Sequence, residues 1–244
     1  MLAPLPREAS RSELMDHPDA SPAEMSRSLR DIARLNLIGA TRSILQHVAP
    51  FFARLRAGET LRVLDVGTGA ADIPLALARW ARRHGHRVRI VALDVHPAVL
   101  AYAERAVAGT PEVHVVAGNA LEAPIRTGAI DVAICSLVLH HLPEEGVAAL
   151  LRRLADLVRL GFIVSDFRRE RLAWAAVWLA TRAVSSNRMT RHDGPLSVRR
   201  AYTPAELARL AMRAGLPDMG WQRGPAFRQI GVWTRPLSGA ARVH

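Results

Sequence analysis

The chain has 244 residues, half of them hydrophobic, which is enough for one full α/β core with a helical cap. Its formal net charge of +11 raises nucleic acid or an anionic membrane as partners. Yet all 33 basic residues are arginines dispersed along the chain, and aromatics make up only 5%, so stacking platforms and a single basic face are both excluded as first readings.

Residues 1–20 are rich in proline, serine and charge, carry no apolar stretch of secretory type, and are expected to be a loose N-terminal tail. Residues 21–57 read as an N-terminal helical cap. Ser21, Pro22 and Glu24 form a helix-start signature, and Leu29, Ile32, Leu35, Ile44, Leu45 and Val48 recur at mostly helical spacing up to Pro50.

From residue 58 to 244 the grammar changes to short β-branched runs alternating with longer helical ones. "LRVLDVG" at 61–67 reads as a strand, and Asp72 caps a helix running to Arg83. "RVRIVALDV" at 87–95 and "VHVVAG" at 113–118 are further strands, with a helix over 97–107 between them. "IDVAICSLVL" at 130–139 is a fourth strand, followed by a helix over 143–160 and the strand "GFIVSDF" at 161–167. Residues 168–203 read as a lid-like insertion, with a helix over 172–183 and then an irregular loop, "SSNRMTRHDGPLSVRR". A helix from Thr203 to Gly215 and two short strands close the chain, and their short link makes them antiparallel.

The fold class implied is α/β: a Rossmann-like, doubly wound, mostly parallel seven-stranded sheet with an antiparallel last strand. Its N-terminal and late helices would serve as a lid. No helical stretch is long enough to span a bilayer, since the apolar run at 172–184 is short and interrupted by Arg182. The single cysteine, Cys135, permits no internal disulfide, fits a cytoplasmic setting and reads as a small buried apolar residue.

The stretch "LDVGTGAAD" at 64–72 ends a strand on a glycine turn and opens a helix, as nucleotide-binding turns do. Its acids narrow the ligand. Asp65 would be repelled by a pyrophosphate, and Asp72 stands where the dinucleotide fingerprint takes Gly or Ala. Both favour a cationic, phosphate-free ligand over a nicotinamide or flavin dinucleotide. Asp94, ending the second strand, can accept hydrogen bonds from both hydroxyls of a ribose. Asn119 follows the third strand, with an amide able to pair with an adenine edge.

With "LDVGTG" (64–69), "LDVHP" (93–97), "GNALEAP" (118–124) and "IDVAICSLVLHHLP" (130–143) in order, the chain resembles the class I S-adenosylmethionine-dependent methyltransferases. The "VLHHLP" form is similar to the branch that includes the ubiquinone and menaquinone biosynthesis enzymes and many natural-product methyltransferases. The resemblance covers residues 58–167 and implies S-adenosylmethionine as cofactor and S-adenosylhomocysteine as product. It implies that Gly67, Thr68 and Gly69 pass under the methionine part, with Asp65 toward its ammonium group. Asp94 would hold the ribose, Val95 and His96 would lie beside the adenine, Asn119 and Ala120 would hold its edge, and Ser136 would line the methionine side.

Methyl transfer to a hydroxyl, or to a phenolic ring carbon, benefits from a base of near-neutral pKa. His140 and His141 lie past the fourth strand. His140 is read toward the substrate and His141 as structural or cofactor-side, while His192, beside Asp193, is a second base candidate. No metal is expected, because the His140–His141 pair lacks an i, i+4 spacing and an obvious third ligand. The expected acceptor is a small aromatic or polyketide- or quinone-like molecule, partly apolar, walled by the N-terminal helix and by the helix bearing Trp174 and Trp178; Arg199 and Arg200 read first as solvated, with contact to an acidic group on the acceptor as the alternative. Nucleic acid is not an expected partner, and the chain is read as a monomer or homodimer. A non-catalytic cofactor-binding or partner-binding module is the alternative, and a nicotinamide oxidoreductase is a more distant one.

Overall fold

The computed structural model describes residues 5–17 and 19–236. Seven strands form one sheet: β1 (Thr60–Val66), β2 (Arg87–Asp94), β3 (Val113–Ala117), β4 (Ile130–Ser136), β5 (Val158–Phe167), β6 (Gly220–Arg223) and β7 (Arg228–Thr234). Their order across the sheet is β3-β2-β1-β4-β5-β7-β6. The first five run parallel, and β7 pairs antiparallel with both β5 and β6. The chain reverses its winding between β3 and β4, so β1 and β4 flank the switch point where α/β sheets take ligands.

The buried strands alternate their side chains between two cores. Leu64, Val66, Ala133 and Cys135 pack with α5 (Glu144–Leu157) and α8 (Pro204–Arg213). Leu61, Val63, Val132 and Ile134 pack with α2 (Ala40–Phe52), α3 (Asp72–Arg83) and α4 (Pro97–Val107). Three further helices belong to the cover over the carboxyl edge of the sheet: α1 (Pro22–Asn36), α6 (Arg171–Val184) and α7 (Arg188–Arg200).

Several boundaries differ from the sequence expectation, each for a local reason. The N-terminal helical region divides at Gly39, whose φ of +94° ends the helical path, and Pro50 lies inside α2. The helix after the fourth strand stops at Leu157, and Val158 enters β5 directly. The segment expected as an irregular loop forms α7. Asn187 caps it by accepting a hydrogen bond from Met189 N at 3.2 Å, and its buried face is largely polar (Thr190, Asp193, Ser197, Arg200), which hides the helical period. Gly194 sets the α6–α7 approach, since a Cβ there would stand 2.6 Å from Thr181 Cγ2.

Residues 5–17 are also packed, contrary to the loose tail expected. Arg7 Nε donates to Arg200 O at 2.8 Å, with its guanidinium 4.0 Å over the Tyr202 ring. Arg169 donates to Leu5 O at 2.7 Å. The 3-10 turn Leu14–Asp16 is capped by Asp193, which accepts from Leu14 N at 2.8 Å and Met15 N at 3.0 Å.

At the opposite edge of the sheet, the buried Asp131 of β4 accepts from Arg62 N (2.8 Å), Arg62 Nη2 (2.9 Å) and Arg159 Nε (2.9 Å), joining β1, β4 and β5. Burial would raise its carboxyl, but the Arg62 and Arg159 bonds outweigh that and hold it below the ordinary value. Asp131→Ala would leave three donors facing a hole. Because both guanidinium groups are partly solvated, the expected loss is about 2 kcal/mol, below the range for a fully buried pair, measured as the shift in urea unfolding.

Candidate active site

A cavity of about 580 Å³ opens at the carboxyl edge of the sheet beneath α1, α6, α7 and the 5–17 segment. Its floor is the turn after β1. Gly67 and Gly69 take left-handed φ values of +68° and +54°, and a Cβ on Gly67 would lie 2.4 Å from Val138 Cγ2. That is why the turn requires glycine there. Gly67 N and Thr68 N both donate to Leu93 O, at 2.9 and 3.0 Å. Asp94 ties the turn to β2, with Oδ2 accepting from Gly69 N at 3.2 Å and Oδ1 from His96 N at 3.1 Å. Two non-glycine residues, Ala71 (φ +56°) and Leu137 (φ +58°), share this left-handed backbone at the ends of the turn and of β4. Such local strain concentrates at functional sites.

Gly67, Thr68, Gly69, Asp94, Val95, His96, Asn119, Ala120, Ser136, His140 and His141 all line the cavity. Val95 is 67% exposed at its rim. The Asn119 side chain is engaged in an Asx turn, accepting from Leu121 N at 3.1 Å and donating to Glu122 at 3.3 Å.

Asp65 departs from the expectation. Its carboxylate lies beneath the turn, outside the cavity lining, with Oδ2 buried and unpaired. Burial pushes its carboxyl up to about 7, and Asp72 and Asp94 push the same way. The acid of the 64–72 stretch that does face the cavity is Asp72 in the first turn of α3. Its Oδ2 accepts from Asn36 Nδ2 at 3.0 Å, and Asn36 Oδ1 in turn accepts from Arg228 Nη2 at 2.6 Å.

Arg228 is 4% exposed, lies 4.9 Å over the Phe167 ring and keeps a buried, unpaired Nε. Burial lowers it to about 10 against the pull of Asp166 and Asp72, so it remains a cation. Nothing local marks it among 33 arginines. Only the reversal of β7, which brings that strand's first residue to the cavity edge, could have found it.

At the other end of the cavity, His140 Nδ1 meets Asp166 Oδ1 at 2.7 Å, and His141 Nδ1 meets Asp16 Oδ2 at 3.1 Å. The Nε2 atoms of both rings face Glu13, 3.5 Å from Oε1 for His140 and 3.9 Å from Oε2 for His141. Glu13 is 1% exposed and also accepts from Ser197 Oγ at 2.9 Å. Burial raises the Glu13 carboxyl against the pull of both histidines. For His141, burial would lower the pKa, but Asp16 and Glu13 outweigh it and hold the ring above its usual value. Glu13 was missed because it sits in the polar stretch expected to be loose. It supplies the third group that the histidine pair lacks in the sequence.

Other expectations fail. His192 does not line the cavity. Its Nδ1 pairs with Asp193 Oδ1 at 2.7 Å, and its Nε2 meets Arg11 Nη2 at 3.2 Å near the surface. α6 walls the cavity through Val177 and Thr181, with Trp174 and Trp178 outside the lining. Arg200 is spent on the carbonyls of Arg11 (2.7 Å), His140 (3.2 Å) and His141 (3.3 Å), and Arg199 pairs with Glu8 at 2.8 Å.

The raised Asp65 carboxyl has a consequence for stability. Between its ordinary value of 3.8 and about 7, the folded chain keeps a proton that the unfolded chain has lost, so its contribution to stability falls as pH rises through that window. Asp65→Asn removes this slope. Ligand-free Asp65→Asn is expected to be about 1–3 kcal/mol more stable than the native protein at pH 8, with little difference below pH 4. Urea unfolding across that pH range measures it, and parallel stability–pH curves would refute it.

Residues 63–161 match the family model of a methyltransferase domain. The fold is similar to that of a SAM-dependent methyltransferase from Aquifex aeolicus, with TM-score 0.61 and 18% identity over 88% of this chain and 98% of that one. It is similar to magnesium protoporphyrin IX methyltransferase from Synechocystis PCC 6803 with bound S-adenosylhomocysteine, with TM-score 0.57 and 16% identity over 85% and 86% of the two chains. It is also similar to human N-acetylserotonin methyltransferase in complex with S-adenosylmethionine, with TM-score 0.60 and 18% identity over 88% and 56%. No curated protein matches the chain significantly. Sheet order, glycine turn and matched domain agree: residues 63–161 match a methyltransferase domain, and the fold is the one shared by these S-adenosylmethionine-dependent enzymes.

Proposed function

We propose that the chain is an S-adenosylmethionine-dependent methyltransferase that methylates a hydroxyl group on a small, aromatic and partly apolar acceptor. The observation that carries the reading is the histidine–carboxylate cluster at one end of a cavity otherwise walled by Leu29, Ile32, Leu35, Leu142, Phe167 and Val177. Apolar walls with a few converging polar groups suit such a molecule.

The cavity residues fit the cofactor. The glycine turn presents bare backbone at the cavity floor, and Asp94 keeps free lone pairs on both oxygens for ribose hydroxyls. In this reading Val95 and His96 flank the adenine, and Asn119 and Ala120 border its edge. The Asp72–Asn36–Arg228 chain offers an anion to the ammonium group and a buried cation with an unpaired Nε to the carboxylate of the methionine part. Asp65 then shapes the turn from below.

S-adenosylmethionine supplies a methyl group on a sulfonium, open to in-line displacement. The protein's task is to place the acceptor oxygen and take its proton. Because a carboxylate can only accept, the proton on His140 Nδ1 points at Asp166, and in the neutral ring Nε2 presents its lone pair. Burial alone would raise the Asp166 carboxyl, but His140, the Phe167 N–H and Arg228 outweigh it, so Asp166 stays an anion able to stabilise the imidazolium that forms.

Two outcomes are expected. In calorimetry, Asp94→Ala weakens S-adenosylhomocysteine binding by at least about tenfold, the loss of roughly one charged hydrogen bond. In a mass-detected screen of phenols, quinols and polyketide products, an acceptor turned over by the native enzyme is turned over about 10²–10⁴-fold more slowly by His140→Ala and at near-native rate by His192→Ala. Methylation of no hydroxyl-bearing compound, or full activity in His140→Ala, would overturn the reading.

A further inference from the structure

The Glu13–His140–His141 cluster has a geometry that hydrogen bonding does not explain. At 3.5 and 3.9 Å, neither Nε2 is within good hydrogen-bonding distance of the Glu13 carboxylate. Both Nδ1 atoms face carboxylates, so in the neutral rings both Nε2 atoms present lone pairs to a third set of lone pairs. Such an arrangement is repulsive unless a positive charge, either a proton or a metal cation, sits among the three.

The spacing suits a metal cation. Ligand atoms about 2.0–2.1 Å from one ion at tetrahedral angles stand about 3.3–3.4 Å apart. The three ligand atoms here lie within 4.8 Å of one another, and this is the only such group of histidine, cysteine or acidic residues among those described. Each ligand has its own orienting partner: Asp166 for His140, Asp16 for His141 and Ser197 for Glu13. Carboxylates behind ligating histidines are the usual outer-shell device that fixes the tautomer. Nearby charge favours a cation, since Asp16 and Asp166 lie against the two imidazoles, while Arg200, 3.7 Å from Asp16, spends its donors largely on backbone carbonyls.

We propose that Glu13, His140 and His141 form a binding site for a divalent transition-metal cation, with remaining coordination positions open to the cavity. Two imidazoles and one carboxylate are a ligand set taken by zinc and by ferrous iron. The proposal rests on the cluster's geometry and not on the identity of the methyl acceptor. If the acceptor is a hydroxyl, a cation here would stabilise its deprotonated form in place of a base.

The test uses tag-free, chelator-treated full-length protein with zinc and cobalt(II) as probes. One equivalent of cobalt(II) is expected to give the intense visible absorption of four- or five-coordinate cobalt, displaced by zinc. By competition titration, Asp166→Asn weakens zinc binding by about 10- to 100-fold. Glu13→Gln and His141→Asn are expected to lose stoichiometric binding. Cooperative thermal unfolding with a near-native midpoint in each variant reports an intact fold, and Asp16→Asn provides a milder substitution should Glu13→Gln not fold. Absence of stoichiometric binding, or unchanged binding in the Glu13 and His141 variants, would overturn the proposal. Failure of the native protein to bind S-adenosylhomocysteine would count against the functional reading and leave the metal result standing.

Discussion

Five consecutive strands in chain order run the same way, so every one of their carboxyl ends reaches the same edge of the sheet. That constraint governs the rest. The loops leaving β1, β2, β3 and β4 have no choice but to meet there, and they carry the glycine turn, Asp94, Asn119 and the two histidines to one cavity. β7 runs the other way, and its first residue therefore arrives at the edge where the others end. The buried guanidinium of Arg228 is a product of this single reversal.

The cover over that edge follows a different logic. The sheet is held by apolar burial, whereas much of the cover is held by polar groups from distant parts of the chain. Asp193 caps the turn at residues 14–16, Asn187 donates to Glu24 O at 2.9 Å, and Asp31 accepts from Ser185 and from Thr190. Ser197 holds Glu13, and Arg200 gathers three backbone carbonyls. Burying these groups is tolerable because almost all find partners. The Glu13 carboxylate is the costly member, and the two imidazoles compensate it.

What was legible in the sequence depended on how local its cause is. The strand–helix alternation, the glycine turn and Asp94 follow from hydrophobic period and from φ values that only certain residues take easily, and all can be read within ten residues. The helix α7 hid because its buried face is polar and contains Gly194 and Pro195, which read as loop punctuation. Asp65 shows a finer limit: its neighbourhood was legible, but whether its side chain points above or below the turn is decided by the alternation of β1. Glu13 and Arg228 were illegible for a third reason. Each acts through a partner far along the chain, and an acid in a polar stretch or one arginine among many carries no local mark.

The small residue at position 194 has one more consequence. Gly194 both lines the cavity and lets α6 and α7 touch, so the distance between those helices and the depth of the cavity are one variable. Divergence there cannot widen the chamber without loosening the cover, nor tighten the cover without filling the chamber. The range of molecules that the chamber admits is thus tied to how firmly its roof is seated, and a lineage changing its acceptor through this position would change the mobility of the roof in the same step.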